Sequence, residues 1–408
     1  MEQELGARIR KLREAAGMLA SELAESVGID ATALSKIENG RRAVKSVELG
    51  RIAKALRVSP LALLEPESLP GKMPLAARMS GATVAMGSAY ERLVSFTELH
   101  EVLAEHGIHS SSKLASVPSV VGAGWFEAAE ALATWARGKL PLDGVDGDDR
   151  FAVLADHIQD ELGIDVLVEP FPGDPLTGAA ITDPAFPLLF VNAEHPLPRS
   201  LFTLAHELGH VLAGHDGTSV TLDRELSGST NEERTANAFA ANFLMPEETV
   251  RAAVKGHGRT ETALIDLAYH LGVSFETLIF RLHNLGLIDA TGRDSLRSVN
   301  WRQLVLHMPD PAVRGDLGPI AAARFVSRSV TPPPTIRPAI LVARATTGFR
   351  KGIVGAHALA KLVGRDSGDL VGRFGDDPDL VRARQLIEAD YRPQHEEARE
   401  ERFSGLPY

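Results

Sequence analysis

FTLAHELGHVLAGH, residues 202–215, is the stretch that decides how the centre of this 408-residue chain folds. Its apolar side chains recur every three or four positions, the period of a helix with one buried face: Leu204, Leu208, Val211 and Leu212. We therefore predict a helix over about residues 199–214. The same period places His206 and His210 on one face of that helix, one turn apart.

The two histidines have the spacing of a metal site. Two imidazoles one turn apart bind a single Zn²⁺ at about 2.0–2.1 Å, and the chain contains no cysteine that could bind it instead. Glu207 points towards a water molecule on the metal, where a carboxylate acts as general base and then as proton donor. Zinc would lower the pKa of that water towards about 7 and polarise a peptide carbonyl. These residue types predict hydrolysis of a peptide bond.

His215 is the first candidate for the third ligand that a catalytic zinc ion needs. The HExxHxxGxxH pattern requires glycine at position 213 and histidine at 216, whereas this chain has Ala213 and Asp216. That class of site is therefore excluded. We expect His215 to be a structural residue close to the substrate cleft.

A second predicted helix, about residues 231–244, is the better source of the third ligand. Glu233 and Asn237 lie four residues apart on one face, so a carboxylate ligand would have a polar partner one turn later. Glu232 is the nearest rival for the ligand role. The other face is expected to pack against the first helix, at Gly209, through apolar residues: Ala236, Phe239, Ala240, Phe243 and Leu244.

The two motifs together resemble the ImmA/IrrE family of zinc metallopeptidases. The resemblance rests on VNAEHPLPRSLFTLAHELGH and ANAFAANFLMP, and it runs from about residue 151 to 288. It implies an α+β zincin-like domain in which His206, His210 and Glu233 bind Zn²⁺ and Glu207 is the catalytic base. Many members carry a second acid where this chain has Thr235. The family includes proteases that cleave a partner repressor, and some members are fused to a Cro/repressor-type domain.

The amino-terminal segment predicts a bundle of short helices. Apolar residues recur at helical spacing in residues 4–16, 20–27, 31–39 and 46–56. Gly28 is placed to end one helix in a left-handed conformation, and Asp30 to cap the next. A short helix, a tight turn and a second helix form the helix-turn-helix arrangement, whose second helix enters the major groove of DNA.

The charge of the chain supports this interpretation. The net charge is −11, yet residues 36–57 contain seven basic residues and only two acids. The stretch from Glu22 to Leu64 resembles the Cro/repressor-type (XRE-like) helix-turn-helix family, although Ala20 stands where that family usually has glutamine. The resemblance assigns Thr32, Ala33, Ser35 and Lys36 to the DNA-facing side of the recognition helix. It assigns Asn39, Arg41 and Arg42 to phosphate contacts.

The other segments carry weaker patterns. Residues 261–289 predict helix, turn and helix; they are poor in basic residues, so we favour helices that close the peptidase domain over a second DNA reader. The short apolar runs IDVLVEP, residues 164–170, and PLLFVN, residues 187–192, are interpreted as strands. ILVAR, residues 340–344, is also interpreted as a strand, and residues 348–374 as a small helical unit. Trp125 and Trp135 are expected in the core.

We thus predict a multidomain protein, in which an all-α helix-turn-helix bundle precedes an α+β zincin-like domain and a mostly helical C-terminal region. The predicted boundaries are 1–65 for the DNA-binding domain, 66–150 for a helical linker region, 151–290 for the metallopeptidase domain and 291–408 for the C-terminal region. The last region and the linker carry no predicted role. No apolar run is long enough to span a membrane, and the start of the chain is not a signal peptide, so a cytoplasmic protein is expected.

The predicted function combines the two motifs. The chain is expected to be a transcriptional regulator that binds a double-stranded DNA operator as a homodimer and cleaves a protein substrate such as a repressor. One alternative is a transcription factor whose zincin-like domain is a sensor or scaffold without catalysis. The other is an antitoxin-like protein that represses its own operon.

Overall fold

The structure is a computed structural model, and it describes residues 2–15, 18–56, 88–110, 112–215, 218–222, 230–306, 319–365 and 380–381. Residues 57–65 of the predicted first domain and 366–374 of the predicted C-terminal helical unit lie outside these ranges. The chain folds as two compact units, residues 1–91 and 92–408. The predicted multidomain class, helical first and then α+β, is confirmed.

Four helices build the first unit over its described residues. They are α1 (Glu2–Ala15), α2 (Ala20–Val27), α3 (Ala31–Glu38) and α4 (Ser46–Leu56). Gly28 has φ of 75° and ends α2, while the Asp30 side chain accepts a hydrogen bond from the Ala33 backbone nitrogen and caps α3. The predicted end of α2 at Gly28 and the predicted cap of α3 at Asp30 are therefore confirmed. The core is formed by apolar residues from all four helices: Ile9, Leu23, Ala24, Val27, Leu34, Ile37, Ile52, Ala53 and Leu56.

Two ion pairs with buried carboxylates connect parts of this unit. Arg13 of α1 donates to Glu38 at the end of α3, with Nε 2.6 Å from Oε1. Arg42 donates to Glu48 of α4 at 2.7 Å. A Cβ atom at Gly6 would collide with the Ile37 carbonyl oxygen, so α1 and α3 lie in close backbone contact. The two carboxylates that are buried among the described residues of this unit each accept hydrogen bonds from an arginine.

The second unit is mostly helical, with one small sheet. Its helices are α5 (Ser88–Glu105), which contains the boundary between the units, α6 (Trp125–Lys139), α7 (Arg150–His157), α8 (Leu197–Leu212), α9 (Asn231–Leu244), α10 (Glu247–His257), α11 (Glu261–His270), α12 (Phe275–Asn284), α13 (Ala290–Arg297), α14 (Trp301–Leu306), α15 (Pro319–Arg328), α16 (Ala339–Arg350) and α17 (Ala356–Val363). A π-helical turn, Ile158–Leu162, continues α7.

The sheet has four strands in the order β1-β3-β2-β4. They are β1 (Asp165–Glu169), β2 (Leu176–Ile181), β3 (Leu188–Asn192) and β4 (Thr218–Leu222). β1 and β3 are parallel, with Asp165 opposite Leu188, whereas β2 is antiparallel to both β3 and β4. The sequence predicted β1 and β3 but not the other two strands. Every residue of β2 and β3 is buried, which is typical of a strand covered on both faces.

Helices α8 and α9 lie at the centre of the core of this unit. The apolar residues of α9 predicted to face α8 are all buried: Ala236, Phe239, Ala240, Phe243 and Leu244. A Cβ atom at Gly209 would lie 3.0 Å from the Phe239 ring and 3.1 Å from the Ala236 Cα, so glycine permits the close approach of the two helices, as predicted. Leu264 and Leu278 bring α11 and α12 into the same core, so these helices close the domain as favoured above.

The segment at residues 336–350 corrects one prediction. ILVAR is not a strand, because residues 340–344 lie inside helix α16. The buried Asp165 carboxylate accepts hydrogen bonds from the backbone nitrogens of Ile340 and Leu341, at 2.8 and 3.0 Å, and so caps the helix from a distant part of the chain. Just before α16, Ile336 forms an antiparallel bridge with Val168 of β1.

No single helix among the described residues is long and apolar enough to cross a membrane. Within the described ranges, α11 and α12, which are bent by 104° with respect to each other, meet the length and composition test as a pair.

Candidate metal centre

The candidate centre lies where the buried face of α8 meets the first turn of α9. His206 and His210 lie one turn apart on α8 and are almost completely buried. Glu233 lies in the first turn of α9, which begins after Thr230, whose side chain accepts a hydrogen bond from the Glu233 backbone nitrogen. This cap fixes the start of α9 and therefore the position of the Glu233 carboxylate.

Three donor atoms converge at this point. The Nε2 atoms of His206 and His210 are 3.1 Å apart. The Glu233 carboxylate oxygens reach both rings, with Oε2 3.4 Å from the His206 Nε2 and Oε1 3.4 Å from the His210 Nε2. Over the described residues this is the cluster of histidine and acidic side chains that could hold a metal ion. Glu232, the rival ligand, is exposed and is not part of the cluster.

The spacing of the donor atoms fits zinc. In a tetrahedral site with metal–ligand distances of about 2.0–2.1 Å, the ligand atoms lie about 3.3–3.4 Å from one another. The three observed separations of 3.1, 3.4 and 3.4 Å are close to that value. Two imidazoles and one carboxylate also form a ligand set that catalytic zinc sites use, with one position left for water or substrate.

Each histidine has a hydrogen-bond partner at its second ring nitrogen. The Nδ1 of His206 lies 3.0 Å from the Oδ1 of Asn237, which lies one turn after Glu233 on α9. The Nδ1 of His210 lies 2.9 Å from the Nδ1 of His215. The structure therefore brings Asn237 to the place that the helical spacing predicted, and His215 lies behind His210 rather than among the converging atoms.

Glu207 is completely buried between α8 and the sheet. A Cβ atom at Gly178 of β2 would lie 2.8 Å from the Glu207 Oε1 and 2.5 Å from the Thr203 side chain, so only glycine leaves room for this carboxylate. A glycine inside a strand is a known signal of close approach. That signal is present in LTGAAI, residues 176–181, but neither the strand nor its role was predicted from the sequence.

The electrostatics of the cluster favour positive charge. Burial alone would lower the pKa of His206, but its hydrogen bond to Glu233 and the charges of Glu207 and Glu233 outweigh burial and raise that pKa. Burial would raise the pKa of Glu233, yet hydrogen bonds from His206 and His210 hold it well below its usual range. The same groups that here stabilise protons would stabilise a divalent cation.

Comparison with known families agrees with this geometry. Residues 159–283 match the family model of the IrrE N-terminal-like domain, and residues 4–65 match that of a helix-turn-helix domain. The chain joins a helix-turn-helix domain to an IrrE-like domain. Both predicted resemblances are thereby confirmed, and the IrrE-like domain implies a metallopeptidase-related function.

Two curated relatives support the assignment of the IrrE-like domain. Radiation response metalloprotease IrrE of Deinococcus radiodurans is 33% identical over 104 residues, which are 24% of this chain and 32% of that protein. The protein of the same name from Deinococcus deserti is 34% identical over 104 residues, 24% of this chain and 37% of that protein. The chain thus spans about a third of the length of these relatives.

Two solved structures were also matched. ComR from Streptococcus suis is 11% identical, covering 88% of this chain and 93% of that chain, with a TM-score of 0.15. The apo competence regulator ComR from Streptococcus vestibularis is 13% identical, covering 81% and 99%, with the same TM-score. These low TM-scores carry no inference about this chain.

The helix-turn-helix domain presents most of its predicted DNA contacts to solvent. The exposed residues are Thr32, Ser35, Lys36, Asn39 and Arg41, whereas Ala33 and Arg42 are half-buried. The Asn39 side chain donates to the Ser35 carbonyl at 2.7 Å, which ties it to the end of α3. Because Arg42 already donates to Glu48, fewer of its donors can reach a phosphate than the sequence suggested.

One core prediction in the second unit was wrong. Trp135 is partly buried against the core, but Trp125 is 39% exposed. With Phe126, which is 47% exposed, and Phe280, it lines a groove of about 1450 Å³ beside α9 of the IrrE-like domain. Trp125 is the first residue of α6 and projects from the helix end, where helical periodicity does not specify burial.

Proposed function

We propose that this chain is a DNA-binding transcriptional regulator whose IrrE-like domain is a zinc-dependent endopeptidase. The observation that carries the peptidase part is the convergence of His206, His210 and Glu233 at tetrahedral spacing, with the buried Glu207 next to His206 on α8. In this proposal the three converging residues hold Zn²⁺ and Glu207 is the catalytic base.

The zinc ion and the side chains of this domain would have different roles in hydrolysis. Bound zinc would act as a Lewis acid on the substrate carbonyl and lower the pKa of water. Glu207 would take the proton of the attacking water on its carboxylate and deliver it to the nitrogen of the leaving amine. Asn237 would keep the His206 ring in place by accepting the proton of its Nδ1, so that Nε2 faces the ion.

The substrate is proposed to be a protein partner such as a repressor. Support comes from the two relatives, which are named as metalloproteases, and from the helix-turn-helix domain in the same chain. A DNA-binding domain would bring the peptidase to the promoter that its substrate controls. The presence of Glu207 together with all three ligands favours catalysis over a sensor or scaffold, in which the base would have no task.

Metal content and cleavage test the peptidase separately. We expect about one zinc ion per wild-type chain, lost in His206→Ala and Glu233→Ala and retained in Glu207→Gln. Newly formed protein amino termini would then be compared between cells that express the wild type and cells that express Glu207→Gln. Termini that depend on Glu207 would identify the substrate. Zinc binding without any such terminus would instead support the sensor or scaffold.

The DNA-binding part of the proposal is tested with the full chain. We propose that it binds an operator as a homodimer, because helix-turn-helix domains usually contact two half-sites one helical turn apart. Selection from random duplexes should yield an inverted repeat, and sedimentation of the complex should give two chains per duplex. Recovery of single half-sites with one chain bound would refute the dimer. Absence of any enriched sequence would refute operator binding.

A further inference from the structure

The end of α8 folds back onto the face that carries the metal ligands. Gly214 adopts a left-handed conformation with φ of 65°, just after the helix ends at Leu212. The His215 backbone nitrogen then donates to the His210 carbonyl at 3.2 Å. Its own carbonyl accepts a hydrogen bond from the Thr182 hydroxyl at 2.7 Å. The backbone of His215 is therefore fixed on both sides, by the helix end and by the residue that follows β2.

This turn places the His215 ring against His210. The two ring centroids are 5.0 Å apart, and the Nδ1 atoms of the two rings are 2.9 Å apart. The opposite nitrogen of His210, Nε2, faces His206 and Glu233. His215 thus contacts the side of His210 that is turned away from the converging donor atoms.

The protons on these ring nitrogens can be assigned from the hydrogen-bond donors and acceptors around each ring. A neutral imidazole that binds a metal through Nε2 carries its proton on Nδ1, and this N–H needs an acceptor when it is buried. For His206 the acceptor is the amide oxygen of Asn237. For His210 the atom within hydrogen-bond distance is the Nδ1 of His215, which can accept only if His215 carries its own proton on Nε2.

We infer that His215 is a positioning residue that holds His210 in its metal-binding tautomer by accepting a hydrogen bond from the His210 Nδ1–H. The two zinc-binding imidazoles are then oriented by different groups, an amide oxygen and a second imidazole. Without His215 the buried His210 would lose its acceptor, and its ring would be less well oriented for zinc. This inference rests on the proposed zinc site.

Zinc affinity in the full chain tests the inference, measured by competition with a chromophoric chelator. His215→Ala removes the acceptor and is expected to weaken zinc binding by about 10- to 100-fold. His215→Asn places an oxygen where the imidazole had its Nδ1, and is expected to restore affinity to within about threefold of the wild type. His270→Ala, at an exposed position on α11, is the matched control and should bind zinc like the wild type.

Two results would overturn the inference. Wild-type affinity in His215→Ala would show that His210 needs no acceptor. Equal loss in His215→Asn and His215→Ala would show that the ring serves only for packing. If the wild type itself bound no zinc, the proposed function would fail instead, so the two failures are distinguishable.

A second measurement uses only the wild type and so does not depend on whether a variant folds. In the zinc-loaded wild type labelled with ¹⁵N-histidine, the ring nitrogen shifts report which nitrogen of each histidine carries the proton. We expect the proton of His215 on Nε2 and that of His210 on Nδ1. A His215 ring protonated on Nδ1 would contradict the proposed hydrogen bond.

Discussion

Glu38 and Glu48 of the first unit and Glu207 of the second are all buried, but their surroundings differ. In the helix-turn-helix domain, Glu38 and Glu48 are each neutralised by an arginine at hydrogen-bond distance, Arg13 and Arg42. In the IrrE-like domain, the buried Glu207 lies beside a cluster in which two histidines and a second carboxylate, that of Glu233, turn their donor atoms towards one another.

The contrast separates carboxylates that connect parts of the fold from the one that we propose as the catalytic base. An arginine fork satisfies a carboxylate with several donors and leaves it inert. Histidines instead present nitrogens that can exchange a proton for a metal ion. Burial alone therefore does not indicate whether a glutamate in this chain has a structural or a catalytic role. The identity of its neighbouring side chains is the better indicator.

Replacement of Glu207, the proposed catalytic base, should give the largest effect. We expect Glu207→Gln to slow cleavage of the substrate by about 100- to 10,000-fold, because the amide cannot accept the proton of the attacking water. Zinc content should remain at the wild-type level, since Glu207 is not among the converging donors. Cleavage rate and metal content are measured on the same preparation.

The control for this change is Glu232→Gln, an identical replacement at an exposed position in the first turn of α9. It should cleave at the wild-type rate. Similar losses in both variants would mean that Glu207 has no special role, and the contrast between the units would then disappear.

Replacement of a structural carboxylate should affect stability instead. Glu38→Ala leaves Arg13 buried without its partner and is expected to lower the free energy of unfolding of the first unit by about 3–5 kcal/mol. Hydrogen exchange of the amides of α2 to α4 in the full chain measures this loss. The exposed Glu25→Ala should change it by less than about 0.5 kcal/mol. A cost of Glu38→Ala as small as that of Glu25→Ala would show that this ion pair does not stabilise the fold.

Asp165 provides a third kind of buried carboxylate, because it caps a helix without an arginine in hydrogen-bond contact. Burial raises its pKa to about 7 from the ordinary value of 3.8, against the lowering effect of the Ile340 and Leu341 backbone N–H groups. The native state therefore binds the proton more tightly than the unfolded chain. Stability should fall as the pH rises from about 4 to 7, by up to about 4 kcal/mol, and then level off.

Asp165→Asn keeps an acceptor for α16 and removes the titration. Urea unfolding of the second unit from pH 5 to 8 should show this decline in the wild type but not in the variant. Subtracting the free energy of unfolding of the variant from that of the wild type removes the contribution of all other titratable groups. If the free energies of unfolding of wild type and variant differed by a constant amount across this pH range, the raised pKa of Asp165 would be contradicted.

The smallest effect is expected within the helix-turn-helix domain. Lys36 is exposed on α3, whereas Arg42 is engaged by Glu48. Lys36→Ala should therefore lower the slope of log affinity against log salt concentration by about one, and Arg42→Ala by less. Titrations of the selected operator at several salt concentrations measure both slopes. A larger change for Arg42→Ala would show that its ion pair opens on DNA.

Local sequence patterns were sufficient to predict most of the residues of the candidate metal centre. The helical period pairs His206 with His210 and Glu233 with Asn237. That the two pairs meet was expected from the family resemblance, and the structure brings all four residues together. Gly28 and Asp30 likewise bound α2 and α3 through interactions between residues near each other in sequence. Such features are predictable because each depends on one helix or one turn.

Features that depend on distant residues were missed. Residues 340–343 are all apolar because α16 is buried on most sides, so no helical period is visible there. The cap of α16 comes from Asp165, about 175 residues earlier. LTGAAI shows little strand propensity, since Gly178 is required by the side chains of α8 that lie against it. The contact between His215 and His210 depends on the left-handed turn at Gly214.

The bridge between Val168 and Ile336 bears on where the chain can be cut. A fragment that ended at residue 290 would contain the whole IrrE-like match, but it would uncover the outer edge of β1 and leave Asp165 without the helix that it caps. An uncovered strand edge promotes aggregation between copies. We expect that a soluble fragment for crystallisation or screening has to extend through α17, to about residue 365.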